Sequence, residues 1–350
     1  MMKVMYGLLI LVPIVIVLDV ADIGSHSVIF TTSALAMIPL AALLGQATEQ
    51  VAFYTGEKVG GLLNATLGNA AELIITIIAL REGLTEVVKA SIAGSILGNI
   101  LFVLGASLLI GGVKNGEQSF DDKTAGVNAS MLSLAVAVLI IPAVLALAPP
   151  ESRPSHHDIE RLSDGMAVIM IILYALYLLY TLRNGSSGTE IAHGGGPTMK
   201  LPIAIGILAG ATIAIVIMSE ILVGALEPTA ASWGLSEFFI GIMLVPLIGN
   251  IAEHLVAVQM AIQNKMDLSL GIAVGSGLQI ATFVTPVLVL AGWAMGTPMT
   301  LVFNRYELMG LLAAVIIAVL ISVDGRSNWL EGAMLLGLYA IVAFAFYYVP

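Results

Sequence analysis

The chain has 350 residues, of which 59% are hydrophobic and 10% are charged, with no cysteine and a formal net charge of -10. A soluble domain usually carries roughly a quarter charged residues, so this composition, with a mean hydropathy of +1.03, excludes a water-soluble globule. The missing thiols exclude a disulfide framework, a thiolate metal site and a cysteine nucleophile, and the acidic balance argues against binding nucleic acid.

Apolar stretches of about 20 residues recur along the chain, each long enough to cross roughly 30 Å of hydrocarbon as a helix. The first follows Lys3 and runs into Asp19 and Asp22 without a clear small-residue cleavage site, so we interpret it as a retained helix. We therefore expect an all-α membrane protein in the lipid bilayer with about 11 transmembrane helices, near residues 3–19, 28–55, 59–80, 86–111, 124–148, 162–182, 200–224, 236–262, 267–293, 302–323 and 328–348.

The lysines and arginines near the joints between spans predict the orientation. With the N-terminus inside, eight of them lie on the cytoplasmic side: Lys3, Lys58, Lys114, Lys123, Arg183, Lys200, Lys265 and Arg326. Five lie outside: Arg81, Lys89, Arg153, Arg161 and Arg305. By the positive-inside rule we expect a multi-pass protein with a cytoplasmic N-terminus, in the cell membrane if the source is prokaryotic.

A Gly- and Ser-rich linker at residues 183–200 divides the chain. One helix and its joint (1–27) and a group of five spans (28–182) precede the linker, and a second group of five (201–350) follows it. Because five is odd, two related groups must lie in the membrane as inverted repeats. A shift of 181 residues supports the repeat, since Gly-Asn-Ala-Ala-Glu at 68–72 falls on Gly-Asn-Ile-Ala-Glu at 249–253, and Gly-Ser-Ile-Leu at 94–97 falls on Gly-Ser-Gly-Leu at 275–278.

The matched residues are polar, and two of them are acids inside apolar sequence, Glu72 and Glu253. A carboxylate near the middle of a span costs roughly 3 kcal/mol on insertion scales, so such residues usually face a bundle interior and mark an ion or proton path. An Asn precedes each Glu by three residues, which places amide and carboxylate on one helix face. Gly68 and Gly249 weaken both helices just before this pair, where we expect an unwound turn that exposes backbone carbonyls.

We expect both acids to bind the ion, with further polar residues lining the site: Asn69, Asn250, Ser95, Ser276, Asn99 and Gln279. This set offers hard oxygen ligands, which suit Ca²⁺, allow Mg²⁺ or Mn²⁺ and disfavour zinc or copper. The asparagines could instead join helices, and the serines could bond their own backbone.

Protons should compete with a divalent cation for these oxygens, because two ionised carboxylates close together in a low-dielectric site repel each other. A single site that holds either the metal or protons, and opens alternately to each face, is the minimal mechanism of an antiporter. It needs no resident cofactor. Two further acids, Glu49 and Glu220, lie in the spans that precede the two motifs, and we expect them to be buried. We expect Glu49, Glu220 and His254 to belong to the proton path or to gate the site.

These motifs resemble those of the cation/proton exchanger family, the Ca²⁺/H⁺ antiporters of the calcium/cation antiporter superfamily. The resemblance extends to Gly-Ser-Ile-Leu-Gly-Asn at 94–99, to the His after the second Glu and to Gln279, and it covers the whole layout. It implies that Glu72 and Glu253 exchange Ca²⁺ for protons and expel cytosolic Ca²⁺. Many members carry a strongly acidic segment between the halves, where this chain has Glu190 and His193, so regulation by that segment is in doubt.

Three alternatives compete with a Ca²⁺/H⁺ antiporter. A Na⁺-coupled exchanger is disfavoured because that family has a Ser/Pro-containing motif before its glutamate, where this chain has Asn and Ala. A cation channel would usually assemble by symmetry around a pore, whereas this site is complete within one chain. An enzyme is disfavoured because the usual nucleophile, zinc and aspartyl signatures are missing, and no Walker A motif indicates ATP-driven pumping. The oligomeric state is left open.

Overall fold

The computed structural model describes residues 6–184 and 197–349. Residues 185–196, which form most of the predicted linker, lie outside the described part, as do residues 1–5 and 350. The first half contains helices α1 Leu11–Val20, α2 His26–Thr55, α3 Glu57–Leu67, α4 Ala70–Arg81, α5 Thr85–Asn115, α6 Asp122–Ala146 and α7 His156–Asn184. The second half contains α8 Leu201–Gly224, α9 Leu226–Trp233, α10 Glu237–Ile262, α11 Met266–Met295, α12 Arg305–Ser322 and α13 Trp329–Tyr347.

The predicted fold class, a helical membrane protein, is confirmed. Nine described helices are long and apolar enough to cross a membrane. A count of eleven also requires the shorter helix Tyr6–Val20 and the broken pair α3 and α4, so that number stays a prediction. One feature departs from the all-α expectation: two-residue strands β1 Gln118–Ser119 and β2 Arg326–Ser327 pair antiparallel.

The two central helices are α5 and α11, in each of which 72% of the apolar stretch is buried inside the protein. Both carry a π-helical segment, over Gly98–Val103 and Ile280–Val284, and α10 carries another over Ile240–Leu244. The outer helices expose large apolar side chains to the surroundings, including Ile213 and Phe344. Such side chains match a hydrocarbon environment rather than water, which agrees with a membrane protein.

The joints between helices form two separate faces. At one face, which we call the Lys114 face, the ribbon of β1 and β2 joins the α5–α6 and α12–α13 joints. At the same face the Gln118 amide donates to Asn264 (2.8 Å), and the backbone N–H of Asp121 donates to Asp267 (2.6 Å). These contacts agree with the predicted spans, which place all these joints on one side of the membrane.

The opposite face, which we call the Arg81 face, contains the joints that the spans predict on the other side. Arg81 at the end of α4 forms an ion pair with Glu220 of α8 (3.3 Å). The hydroxyls of Ser27, at the start of α2, and Ser232, at the end of α9, lie 2.7 Å apart. The predicted alternation of joints is therefore consistent with the contacts at both faces, while the assignment of the Lys114 face to the cytoplasm stays a prediction.

Helix ends are fixed by side chains that accept hydrogen bonds from otherwise unpaired backbone N–H groups. Asn304 and Asn328 begin α12 and α13 with complete capping boxes, each closed by a Glu three residues later. Asp121 begins α6 by accepting from Thr124, and these bonds lower the pKa of the Asp121 carboxyl. Asp121 and Asn328 thus define where α6 and α13 begin at the Lys114 face, and Asn304 does the same for α12 at the Arg81 face.

Glycines let α5 and α13 approach closely. A Cβ at Gly332 would lie 2.2 Å from the backbone nitrogen of Leu109, whereas a Cβ at Gly337 on the same helix would meet nothing within 4 Å. We predict that Gly332→Ala destabilises the protein by about 1–3 kcal/mol, because overpacking forces the backbones apart. Thermal unfolding of the purified protein in detergent checks this. Gly337→Ala is the matched control, and equal melting of the two variants would contradict the packing described.

Candidate ion-binding site

The two Gly-Asn-x-Ala-Glu segments have different backbone conformations. In the first half the helix breaks, because α3 ends at Leu67 and α4 begins at Ala70, with Gly68 and Asn69 in a turn between them. In the second half α10 continues through Gly249 without a break. The expected unwound turn is thus present at Gly68, and the expectation of a second one at Gly249 is wrong for this conformation. Intact i to i−4 hydrogen bonds keep α10 helical there.

Glu72 lies in the first turn of α4 and is 1% exposed. Its carboxylate accepts a hydrogen bond from the Ser95 hydroxyl of α5, and the Asn250 amide of α10 donates to its Oε2 (3.0 Å). Asn250 also donates to the backbone carbonyl of Pro246 (3.2 Å). Because charge-assisted bonds are stronger than neutral ones, these contacts fix the carboxylate in place despite its burial.

Glu253 lies on α10 and is half-buried. The Ser276 hydroxyl of α11 donates to its Oε2 (2.5 Å). Its other oxygen faces the turn between α3 and α4, where a Cβ added to Gly68 would lie 3.3 Å from Oε1. The pairing of Ser276 with Glu253 repeats that of Ser95 with Glu72, and both pairs are separated by 23 residues. The two halves thus build the same carboxylate–hydroxyl pair.

Each carboxylate also contacts the Gly-Asn segment of the other half. Glu72 packs on Gly249, where an added Cβ would lie 3.4 Å from the Glu72 Cβ, and accepts from Asn250. Glu253 packs on Gly68. The sequence predicts Asn250 and Glu253 on one helix face, and the structure adds that the Asn250 amide reaches across to Glu72 of the other half. The reciprocal contacts bring the two acids to one site.

The remaining predicted lining residues extend the site. The side-chain amide of Asn69 donates to the side-chain oxygen of Gln279 in α11 (2.6 Å), which is another contact between the halves. Asn99 is 1% exposed, and neither its amide nitrogen nor its oxygen has a hydrogen-bond partner in the described part of the protein. The side-chain oxygen of Asn69 is buried without a partner as well. Buried amide oxygens without partners are costly unless a cation or water binds them.

The predicted gating residues lie outside this cluster. The side chain of Glu220 is 48% exposed and pairs with Arg81 at the Arg81 face, so the expectation that it is a buried acid is wrong. Glu49 is half-buried near the Lys114 end of α2. His254 is buried with its ring against Phe102 (6.3 Å between centroids), and neither ring nitrogen has a hydrogen-bond partner among the described residues. Their roles in a proton path stay predictions.

Close packing covers the site on the side of the Arg81 face. A Cβ at Gly94 of α5 would lie 1.9 Å from the backbone oxygen of Ile242 in α10. The 181-residue shift relates Gly94 to Gly275, where an added Cβ would meet nothing within 4 Å. The sequence does not reveal this difference, because both glycines stand in the same Gly-Ser motif, which is compatible with a close and with an open helix contact. The two halves are therefore packed unequally around the site.

The site is chemically an oxygen cage with two carboxylates, two serine hydroxyls and several amides. In the two described ranges, 6–184 and 197–349, no group of three or more His, Cys, Asp and Glu side chains could hold a metal. A cation bound between Glu72 and Glu253 would thus take further ligands from hydroxyl, amide and backbone oxygens or water, as Ca²⁺ readily does.

Comparisons with known proteins agree with this architecture. Residues 25–183 and 203–348 match the family described as sodium/calcium exchanger protein. The chain is 45% identical over 362 residues to a Ca(2+)/H(+) antiporter of Aphanothece halophytica, covering 99% of this chain and 96% of the relative. It is 43% identical over 344 residues to a Ca(2+)/H(+) antiporter of Synechocystis sp., covering 93% and 92%. The crystal structure of the Ca2+/H+ antiporter protein YfkE superposes with a TM-score of 0.86 at 39% identity, covering 99% of this chain and 100% of that chain.

Proposed function

The chain belongs to the family of sodium/calcium exchanger proteins, and we propose that it is a secondary antiporter that exchanges cytosolic Ca²⁺ for protons. The observation that carries the proposal is the meeting of Glu72 and Glu253, each on a serine of its own half and on the Gly-Asn segment of the other. Two relatives named as antiporters, 45% and 43% identical over nearly the whole chain, support the same exchange.

The exchange follows from competition for the carboxylate oxygens. With both acids ionised and no cation, the site holds two negative charges in surroundings from which water is largely excluded, which is unfavourable. A Ca²⁺ ion removes the repulsion by direct coordination, and protons remove it by neutralising the acids. Only the site loaded with Ca²⁺ or with protons therefore changes between its two open states, and a bound Ca²⁺ ion excludes bound protons. No resident cofactor or covalent step is part of this mechanism.

Alternating access is supported by the unequal packing of the two halves. The Gly94 contact with Ile242 closes the route to the Arg81 face, while Glu253 and the α3 residues Leu62 and Asn64 are half-buried or exposed on the side of the Lys114 face. In an inverted repeat the second state exchanges the conformations of the two halves. In that second state Gly275 would pack closely against α3 near Gly61, and the contact of Gly94 with Ile242 would open. Gly61 is the residue that the 181-residue shift relates to Ile242.

The orientation of the exchange is part of the proposal. The excess of lysines and arginines supports a cytoplasmic Lys114 face. The site described here would then load Ca²⁺ from the cytoplasm and release it at the Arg81 face, where protons enter. In a prokaryotic cell membrane this direction expels Ca²⁺ at the expense of the proton gradient.

Neutralising either acid is the first test. We predict that Glu72→Gln and Glu253→Gln each reduce proton-driven Ca²⁺ flux to background, because an amide cannot alternate between Ca²⁺ and a proton. Ser95→Ala should slow exchange less than either change of Glu, by about tenfold, which corresponds to roughly 1.5 kcal/mol for one hydrogen bond to a charged group. Flux into proteoliposomes is the measurement. Glu117→Gln, an exposed acid at the Lys114 face, is the control, and proton-coupled flux in either site variant would refute the assignment.

The pH dependence has opposite signs at the two faces. Acidifying the Lys114 face should slow exchange, by up to about tenfold per pH unit for each proton that Ca²⁺ displaces, because protons occupy the carboxylates that must load metal. Acidifying the Arg81 face should accelerate exchange, because protons there replace Ca²⁺. Measuring Ca²⁺ flux with the pH changed on one side at a time checks both signs. Flux driven by a Na⁺ gradient alone, without pH dependence, would favour a Na⁺-coupled exchanger instead.

A methyl group at Gly275 tests the alternation. We predict that Gly275→Ala leaves Ca²⁺ binding from the Lys114 face intact, since an added Cβ has open space in the present conformation. Exchange should slow by about tenfold or more, because overpacking in the opposite conformation costs about 1–3 kcal/mol. Equilibrium Ca²⁺ binding and Ca²⁺ flux are compared on the same preparation. Gly126→Ala, also in open space, is the control, and unimpaired flux in Gly275→Ala would contradict the mirrored closure.

A further inference from the structure

The side-chain amides of the two motif asparagines have different partners. The Asn250 amide donates to Glu72 (3.0 Å), the acid of the other half. The Asn69 amide donates to the side-chain oxygen of Gln279 in α11 (2.6 Å) rather than to Glu253. The 181-residue shift relates the two asparagines to each other and the two acids to each other. The repeat therefore contains one acid that holds the amide of the other half and one acid whose amide is held elsewhere.

The Asn69 side chain has two closer uses that it does not make. The Oε1 atom of Glu253 faces Gly68, the residue before Asn69, at 3.3 Å from an added Cβ. Asn69 also stands at the N-cap position of α4, where an Asn usually accepts from its own helix, but its side chain makes no cap bond. Its side-chain oxygen is buried and has no hydrogen-bond partner among the described residues. The bond to Gln279 thus holds this side chain away from both the acid and the helix end.

The first half has no acceptor equivalent to Gln279. The 181-residue shift relates Gln279 to Gly98, which begins the π-helical segment of α5 and has no side chain. A Cβ added at Gly98 would meet nothing within 4 Å, so this position is open to a side chain. The acceptor that holds the Asn69 amide is therefore present on one side of the repeat only, although the motif asparagines, acids and serines are present on both.

This difference affects the two states of the proposed exchange unequally. In the second state the two halves exchange conformations, so the Asn69 amide would donate to Glu253, in the mirror image of the present bond to Glu72. The Asn250 amide would then leave Glu72. With glycine at position 98, however, it would find no side-chain oxygen in the place that corresponds to Gln279. The bond between Asn69 and Gln279 is lost in the change of state, and no equivalent bond replaces it.

We propose that Gln279 is a positioning residue that sets the resting conformation of the protein. By holding the Asn69 amide it leaves Glu253 free for Ca²⁺ and favours the state that is open to the Lys114 face. The inference rests on the proposed exchange and adds which of its two states the unloaded protein prefers. One neutral hydrogen bond is typically worth a factor of about five in an equilibrium, and only one of the two states contains this bond.

Two related positions can report the state by their reaction with a hydrophilic thiol reagent, because the chain has no cysteine of its own. Ile242, at the contact with Gly94 that closes the Arg81 side, is 1% exposed. Gly61, its counterpart on α3, is half-buried here and would close in the second state. Ile242→Cys and Gly61→Cys are labelled in detergent, without Ca²⁺ and at one pH. Gln279→Met, which keeps the side-chain size without the acceptor, should label Ile242→Cys about fivefold faster and Gly61→Cys more slowly.

Adding the acceptor to the other half is the second test. Gly98→Gln places a side-chain oxygen where the Asn250 amide would arrive in the second state, so it should favour that state by about fivefold. Gly98→Met adds similar bulk without the acceptor and is the matched control. Because the two bonds belong to different states, Gly98→Gln combined with Gln279→Met should shift the ratio of the states by about 25-fold in total. The same two thiol positions measure this ratio.

Titration with Ca²⁺ separates a positioning role of Gln279 from a role as an ion ligand. If Gln279 acts through Asn69, Gln279→Met lowers the half-saturating Ca²⁺ concentration at the Arg81 face by up to about fivefold and does not lower it at the Lys114 face. The loss of an ion ligand would instead raise this concentration at both faces. Exchange in vesicles of known orientation, with Ca²⁺ varied on one side at a time, gives both values.

The outcomes separate the resting conformation from the function. If the unmodified protein does not exchange Ca²⁺ for protons, the proposed function fails, and the inference that rests on it fails too. If it exchanges, the positioning role is overturned when Gln279→Met leaves both labelling rates unchanged, or raises the half-saturating Ca²⁺ concentration at both faces. If Gln279→Met does not fold, labelling of Gly98→Gln equal to that of Gly98→Met overturns the role. Opposite shifts of the two thiol positions in Gln279→Met and in Gly98→Gln support it.

Discussion

The structure depends on one reciprocal arrangement, in which each carboxylate of the site is held by both halves of the chain. Glu72 accepts from Ser95 of its own half and Asn250 of the other, and Glu253 accepts from Ser276 and packs on Gly68. A buried carboxylate is stable only if its lone pairs are satisfied or its charge is balanced. The halves therefore cannot separate without exposing unpaired acids, and they cannot move without changing the contacts of both acids.

In the exchange that we propose, this reciprocity couples the occupancy of the site to its conformation. A cation or protons must balance the charge of the acids before the apolar surroundings can close over them. The empty, doubly charged site is therefore the form least able to change from one open state to the other. The unequal packing at Gly94 and Gly275 indicates which side is closed here. Since both glycines occupy the same place in the repeat, the same contact can exist in mirrored form, as the proposed exchange requires.

Some of the site follows directly from the sequence. The acids could be found because a carboxylate inside an apolar span is costly and recurs at one spacing, and the serines because they share that spacing. The crossing of Asn250 to Glu72 could not be found, since helix periodicity places it beside Glu253 and says nothing of the facing helix. Glu220 was misjudged for the same reason: its position in an apolar run indicated burial, but the run ends at the Arg81 face, where Arg81 pairs with it in solvent.

The sequence by itself determined that this is a helical membrane protein with two related halves of opposite orientation, because span length, composition and a repeated motif are properties of the chain alone. Only the tertiary structure decided where the repeat is unequal. The break at Gly68 has no counterpart at Gly249, and the close contact of Gly94 with Ile242 has no counterpart at Gly275. Two closely similar motifs cannot both have the same conformation around a site that is closed at one face, so packing between the halves, rather than local preference, gives each motif a different backbone conformation.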